Sequence, residues 1–281
     1  MAAVPPRLDR NARLLGLEAM ERLSAAHVVV LGLGGVGSFT AEALARVGVG
    51  HLTLVDGERV DATNANRQLH ALDGEFGRFK AEALAERLRR AAPGARIEAA
   101  CEPYGPASAG RLVVPGVSYV VDAMDTVVAK LHAIARAIEL GVPLVTVLGA
   151  ARRLDPTAVQ VTDLCESHTD QLAKDVRKYL RRRHGISGSA PLGVLAVWSG
   201  EEPRPSIPLP GDEGGIPGAR PAEEGRREPK CFGSVAFVTG AFGLAAAGAV
   251  VQALTGVRPL TRRPVPEAER SRRRKRPARS P

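Results

Sequence analysis

The feature that most constrains this chain is a short apolar run, 27–33 (HVVVLGL), that leads directly into a glycine cluster. A run this continuous suits a strand buried on both faces, as in the middle of a parallel sheet. The cluster Gly32-Leu33-Gly34-Gly35-Val36-Gly37 satisfies G-x-G-x-x-G, and 38–47 beyond it reads as a helix. Each glycine has a reason. Gly32 permits the tight turn, Gly34 lets backbone N–H groups approach phosphate, and Gly37 allows close helix–strand packing. The helix N-terminus then faces anionic oxygens.

The rest of the chain repeats the strand–helix alternation. A second strand, His51–Val55, ends at Asp56, nineteen residues past Gly37, where a carboxylate can accept hydrogen bonds from ribose hydroxyls. Helix 79–92, strand 96–101, strand 118–121, helix 126–140 and strand 143–148 follow, then a strand at 158–164 and a basic helix at 169–183. Alternation of this kind predicts an α/β fold: a doubly wound, Rossmann-like, mostly parallel sheet with right-handed crossovers and a C-terminal extension. The expected organisation is an N-terminal helical arm (1–26), a Rossmann-like ATP-binding core (27–165) and a basic helix (166–186). A flexible or disordered insertion (187–230), a C-terminal helix completing the core (231–256) and a disordered basic tail (257–281) complete it. The insertion is inferred from its Gly, Pro and Glu content and its lack of periodicity.

Composition narrows the setting. At 281 residues the chain holds one sizeable α/β domain with extensions, and with aromatics at only 4% its core must be aliphatic. The formal charge of +9 is concentrated in the tail, so the high pI says little about the folded body. Cys101, Cys165 and Cys231 stand apart without a CxxC pair, which argues against a disulfide framework or a four-cysteine zinc site and suits a reducing, cytoplasmic setting. The N-terminus does not read as a secretory signal. Segment 232–254 is long enough to span a bilayer, but its Gly and Ala content reads as a buried helix, placed at a subunit contact, with no membrane association.

Glycine fingerprint and acid together indicate an adenine nucleotide, with NAD and ATP both open. Adenylation differs from hydride transfer in needing cations around the phosphates, because pyrophosphate leaves with its charge. Candidates follow Asp56 in 60–68 (VDATNANRQ), with Lys80 further on and Asp122-Ala-Met-Asp125 after the fourth strand. Arg67 and Lys80 also read as solvated surface charges, and Asp125 as an N-cap of the following helix.

GLGGVGS, LVDGERVDATNANRQ, the lysine opening the next helix and DAMDT together resemble the signature of the ubiquitin-activating-enzyme-like superfamily of adenylyltransferases. Within it the branch most similar in appearance is the tRNA threonylcarbamoyladenosine dehydratases, through RLLG, NANRQLHAL, PLVTVLGAARRLDPTAVQVTDL and CFGSVAFVTGAFG, over roughly 7–255. The resemblance implies ATP and Mg²⁺ as cofactors, a tRNA substrate and a homodimer. It also implies roles: Gly32, Gly34, Gly35 and Gly37 cradle phosphate, and Asp56 holds ribose with Glu58 beside it. Asn64, Arg67, Gln68 and Lys80 grip the triphosphate, Asp122 and Asp125 complete the site, Asp125 holds Mg²⁺, and Arg13 reaches in from the other subunit. Glu58 stands where the family commonly has Asp. Branches that pass acyl groups to sulfur use a cysteine nucleophile; neither Cys165 nor Cys231 sits in a pattern demanding one, and a sulfurtransferase or sulfur-acceptor partner stays open. The basic stretch 175–184 (DVRKYLRRRH) and the tail are candidate RNA contacts, or else a solvated face and a solubilising extension. Two other activities remain: adenylation of a ubiquitin-like sulfur carrier, and NAD-dependent oxidoreduction.

Overall fold

The computed structural model describes residues 4–187, 190–205, 207 and 232–258. Two short helices, α1 (Asp9–Leu15) and α2 (Leu17–Ala25), precede β1 (His27–Leu31). Then come α3 (Gly37–Val47), β2 (His51–Val55), α4 (Lys80–Ala91), β3 (Arg96–Ala100), α5 (Pro106–Leu112) and β4 (Tyr119–Asp122). The remaining elements are α6 (Val127–Leu140), β5 (Leu144–Val147), β6 (Val159–Asp163), α7 (Gln171–His184), β7 (Leu195–Ser199) and α8 (Ala236–Thr255). The strands form one seven-stranded sheet in the order β3-β2-β1-β4-β5-β7-β6, parallel throughout except for β6, which runs antiparallel to β7 at the edge.

The register follows from the period of two along each strand. Val28 and Val30 of β1 face one core, shared with α2, α3, α4 and α8, while Val29 and Leu31 face the other, shared with α5, α6 and α7. Both faces are covered, so β1 is apolar on both sides, as its sequence predicts. Strand order reverses between β1 and β4. That is the switch point at which open α/β sheets bind ligands, outside the carboxyl ends of the strands.

One expectation needs correction. The sequence predicts an irregular insertion over 187–230, yet its stretch LAVWS forms β7, buried between β5 and β6, with Trp198 1% exposed. Five residues flanked by glycine and proline carry too little period to announce a strand. Pairing on both sides, from Val145↔Leu195 and Val161↔Val197, supplies the structure. Residues 208–230 and the basic tail beyond 258 lie outside the described residues. Helix α5, opened by Pro106 at its first turn, is a further addition to the outline that periodicity alone predicts.

Helix α8 has the length and hydropathy of a membrane span, but half of that window is buried in the protein body. Its small residues allow close contact with α3. A Cβ added at Gly243 would sit 2.5 Å from the carbonyl oxygen of Val36, and Thr40 Oγ1 donates to the Gly243 carbonyl at 3.0 Å.

Candidate functional site

The glycine turn links β1 to α3. Gly32 adopts φ +83°, and a Cβ there would meet the Ala123 carbonyl oxygen at 2.9 Å. Gly37 is more tightly constrained: its Cβ would lie 1.9 Å from the Gly32 carbonyl oxygen. Gly34 is open on its outer side, its nearest neighbour being Gln68 Nε2 at 3.9 Å from an added Cβ. In the turn Gly32 N donates to Val55 O and Leu33 N to Asp56 Oδ2, and in α3 Ser38 N donates to Gly34 O and Thr40 N to Val36 O, so the N–H groups of Gly34, Gly35, Val36 and Gly37 are those left to face an anion at this helix end.

Asp56 at the end of β2 is held in place from two sides. Its Oδ2 accepts from Leu33 N and its Oδ1 from Glu58 N, both at 2.8 Å. Burial pushes its carboxyl above the usual carboxylate range, while these two N–H donors and Lys80 oppose the rise. The carboxylate thus braces the phosphate loop from beneath and leaves lone pairs toward the crevice. Lys80 opens α4 with its side chain 5% exposed, and its Nζ donates to Glu58 Oε2 at 2.6 Å. Asp56, Glu58 and Lys80 therefore form one corner of the site.

The segment after Glu58 makes the opposite wall. Asp61 caps a 3-10 turn over Ala62–Asn64, accepting from Thr63 N, while Asn64 Oδ1 returns an acceptor to Asp61 N at 3.1 Å. This reciprocal cap fixes the turn and buries Asn64. Arg67 follows, half-buried, with Nη1 donating to Thr63 O at 2.9 Å and Asn66 Oδ1 at 2.8 Å. Its Cγ would lie 3.0 Å from a Cβ at Gly35, so the guanidinium stem lies along the phosphate loop. Gln68 is buried beneath the loop, and its Oε1 has no hydrogen-bond partner. A buried amide oxygen left unpaired is costly, and a bound donor would relieve it.

Asp125 lies beyond β4. Ala123 N donates to Leu31 O at 2.8 Å, which pins segment 123–125 across the glycine turn. The Asp125 carboxylate is exposed, and its one contact is from Thr126 Oγ1 at 3.3 Å. The N-cap of α6 is Thr126, without a side-chain cap bond, so Asp125 is not there to cap the helix. Among the described residues no group of three or more His, Cys, Asp or Glu side chains could hold a metal. One exposed carboxylate beside a phosphate cradle does fit Mg²⁺, which is commonly held by one or two carboxylates and the substrate's own phosphates.

One sequence-based expectation changes. Asp122, expected from the motif to contact nucleotide, is wholly buried under the site: Oδ2 takes Lys130 Nζ at 2.8 Å and Thr146 Oγ1 at 2.7 Å, and Oδ1 takes Met124 N at 3.2 Å. With both oxygens occupied and no exposure, it supports the 123–125 segment and does not meet ligand. Arg13, expected from the resemblance to act across a dimer, lies apart from the site of its own chain: it is 76% exposed on α1, paired with Asp9 at 2.8 Å. The remaining set, Gly32, Gly34, Gly35, Gly37, Asp56, Glu58, Asn64, Arg67, Gln68, Lys80 and Asp125, gathers at the carboxyl ends of β1, β2 and β4.

Sequence reasoning misses Thr239 of α8. Its hydroxyl lies 3.1 Å from a Cβ added at Gly35, so α8 closes the back of the phosphate loop. It also misses His70, which is 2% exposed with both ring nitrogens unpartnered. Burial, then Lys80 and Arg87, push its pKa down to about 4. Cys101 and Cys165 have the environment of inert thiols. Burial and Glu82 raise the Cys101 thiol, and the Asp163 carboxylate raises that of Cys165, the reverse of what a nucleophile needs. Cys231 lies outside the described residues.

A model of the ThiF family matches residues 8–278. The chain belongs to the ThiF family. The tRNA threonylcarbamoyladenosine dehydratase of Escherichia coli (strain K12) is 39% identical over 245 residues, covering 85% of this chain and 90% of that protein. The enzyme of the same name from Bacillus subtilis (strain 168) is 41% identical over 197 residues, 70% of this chain and 76% of that one. The crystal structure of the E. coli dehydratase in complex with ATP superposes with a TM-score of 0.77 at 35% identity, over 91% of this chain and 98% of that one. Its AMP complex gives 0.78 at 34% identity, over the same shares of the two chains. The fold of this ThiF-family chain is thus shared with these structures over 91% of its length.

Proposed function

We propose that this chain is an ATP-dependent tRNA threonylcarbamoyladenosine dehydratase, which activates a nucleoside carboxylate by adenylation and closes a ring. The observation that carries the reading is the near full-length likeness to a dehydratase whose crystal structures hold ATP and AMP, joined to a phosphate cradle ringed by Asp56, Arg67, Lys80 and Asp125. The carboxylate of threonylcarbamoyladenosine attacks the α-phosphorus of ATP, giving an acyl-adenylate and pyrophosphate. The neighbouring ureido nitrogen then attacks the acyl carbon, loses its proton and expels AMP. The tRNA loses one water overall, and ATP becomes AMP and pyrophosphate.

The chain's own residues do the following in this reading. Backbone N–H groups of the glycine turn hold phosphate oxygens, and Asp56 accepts from the ribose hydroxyls. Arg67 and Lys80 neutralise charge as pyrophosphate separates; Lys80 exchanges its Glu58 contact for phosphate. Gln68, through its unpaired Oε1, and Asn64 order this wall. Asp125 would hold Mg²⁺ beside the phosphates, and the ion would supply further charge neutralisation. No thioester is invoked, in keeping with the raised Cys101 and Cys165 thiols. Arg13 serves the phosphates of a second copy in a homodimer, for which the exposed Leu14, Leu17, Phe237 and Leu244 offer apolar surface. In this reading the enzyme works in the cytoplasm, where it meets its tRNA substrate.

The test is to incubate the protein with ATP, Mg²⁺ and tRNA bearing uncyclised threonylcarbamoyladenosine, digest the tRNA and weigh the nucleosides. Loss of one water, dependent on ATP, is the expected result. An unchanged mass, with ATP–pyrophosphate exchange driven by a ubiquitin-like carrier, would overturn the proposal in favour of carrier adenylation.

A further inference from the structure

Several arginines of the described surface are paired with acids. Arg46 and Arg87 share Glu42, Arg78 takes Glu75 and Glu86, Arg96 takes Glu98 and Arg111 takes Glu102. Helix α7 instead gathers unpaired cations on one element. Lys174, Lys178, Arg181, Arg182 and Arg183 are all exposed, and none of them has a carboxylate partner among the described residues. The opposite stripe, Ala173, Val176 and Leu180, is buried in the core, which fixes the helix's rotation. Lys174, Lys178, Arg181 and Arg182 recur at i, i+4, i+7 and i+8 and so form one continuous face. Arg177 is not part of it, because its Nη1 is spent on the Ser167 carbonyl at 2.7 Å.

Two further observations give the face a direction and a form. The N-cap residue of α7, Asp170, accepts from Gly149 N at 2.9 Å, just past the carboxyl end of β5. The helix therefore starts at the sheet edge that carries the phosphate loop. It then runs 14 residues away from it, roughly 20 Å at the ordinary helical rise. Midway, Tyr179 is half-buried, with Lys178 Nζ 5.1 Å and the Arg183 guanidinium 5.2 Å from its ring centroid. Cation–π contact holds these long side chains in place, so less freedom is lost when they meet a ligand.

We infer that the exposed face of α7 is the docking surface for the substrate RNA, taking consecutive backbone phosphates while the modified nucleoside enters the crevice at the α7 N-terminus. The inference rests on the reading of the chain as a tRNA-modifying enzyme and adds the surface that engages the RNA. A stripe of unpaired cations leading from a catalytic edge fits a polyanion of fixed direction. It engages the strand without reading bases, as backbone binding requires.

The test titrates a fluorescently labelled tRNA transcript into the full chain over a range of KCl concentrations, for wild type, Lys178→Gln and the triple variant Lys174→Gln/Lys178→Gln/Arg182→Gln. Each phosphate left without its cation should lower the slope of log affinity against log salt by about 0.7 to 0.9, so the triple variant should flatten it by roughly 2. In the dehydration assay the triple variant should show a raised KM for tRNA, with kcat at saturating tRNA and KM for ATP held. Since these side chains are exposed, its melting temperature should match wild type. An unchanged slope in the triple variant, with wild type active, overturns the docking surface and leaves the activity standing. An equal effect from Arg90→Gln, an exposed cation on the other face of the sheet, would reduce the result to net charge and overturn it too. So would α7-dependent binding of anionic lipid vesicles with tRNA affinity unaltered. Failure of wild type to dehydrate tRNA would instead remove the functional reading on which the surface rests.

Discussion

Lys130→Met probes the support beneath the catalytic edge. Lys130 and Asp122 are both fully buried, and the ammonium meets Asp122 Oδ2 at 2.8 Å, Thr146 Oγ1 at 3.2 Å and Val147 O at 2.9 Å. Removing the ammonium leaves an uncompensated carboxylate in a dry interior, which costs about 3–5 kcal/mol. In a domain this size each kcal/mol shifts Tm by roughly 2–4 °C, so the melt should fall by about 10 °C. Asp122→Asn added to Lys130→Met removes the stranded charge while leaving an acceptor for Met124 N or Thr146 Oγ1. It should recover most of the stability, to within about 1–2 kcal/mol of wild type, because replacing both partners of a buried pair is far milder than removing one. Urea unfolding of wild type, Lys130→Met, Asp122→Asn and the double variant gives the coupling, and ATP-dependent turnover gives the function. KM for ATP should hold in the double variant, since Asp122 lies under the site. A single-variant cost below about 1 kcal/mol, or additive costs, would refute the stability argument. A large rise in KM for ATP in a well-folded double variant would return Asp122 to the nucleotide site.

Single side chains give further tests. His70 is held neutral, with a folded pKa of about 4 against an ordinary 6.5, so the unfolded chain binds the extra proton and stability drains as pH falls from 6.5 toward 4. His70→Leu should flatten this acid limb by on the order of 3 kcal/mol, read from denaturant midpoints across that range; an unchanged limb would show that the ring is not buried neutral. Gly37→Ala, whose Cβ would collide with the Gly32 carbonyl at 1.9 Å, should abolish ATP binding by calorimetry, whereas Gly110→Ala in α5, with nothing within 4 Å, should be neutral or stabilise by up to about 1 kcal/mol. Arg67→Ala and Asp125→Ala should each remove ATP-dependent turnover with the melt unchanged, and normal activity in both would move the site elsewhere.

Legibility from sequence tracks how local the cause is. The glycine turn and Asp56 are readable because each is dictated by backbone geometry within one strand–turn–helix unit. The turn wall at 61–68 is readable for a similar reason: its reciprocal cap joins residues three apart. Strand β7 is not readable, because five residues between breakers become a strand only through β5 and β6, some thirty to fifty residues away in the chain. Asp122 is easily misread because two acids three apart look equivalent on paper. Only the ends of β4 and β5 and the burial of Lys130 make one structural and leave the other exposed.

Helix α8 joins these cases and explains its own odd composition. The phosphate loop needs a backing that leaves its N–H groups facing outward, and the backing must approach within contact distance of a glycine turn. A helix with large side chains there would push α3 off the sheet: at Gly243 a single added carbon already meets the Val36 carbonyl at 2.5 Å, and at Gly240 it meets the Phe39 ring at 3.2 Å. A charged side chain on that face would be buried without a partner beside the N-terminus of α3, a cost of several kcal/mol. Small and uncharged is the solution left, with Thr239 satisfying its own hydroxyl on Val235 O and Ala236 O at 3.3 Å. The composition that makes α8 resemble a membrane span is therefore accounted for by its packing against the nucleotide loop. Gly243→Leu should then depress ATP affinity as well as stability, while Gly248→Leu, with nothing within 4 Å of its added Cβ, should spare both. Equal effects of the two substitutions on ATP binding, measured by calorimetry, would show that helix composition and not loop contact is what matters.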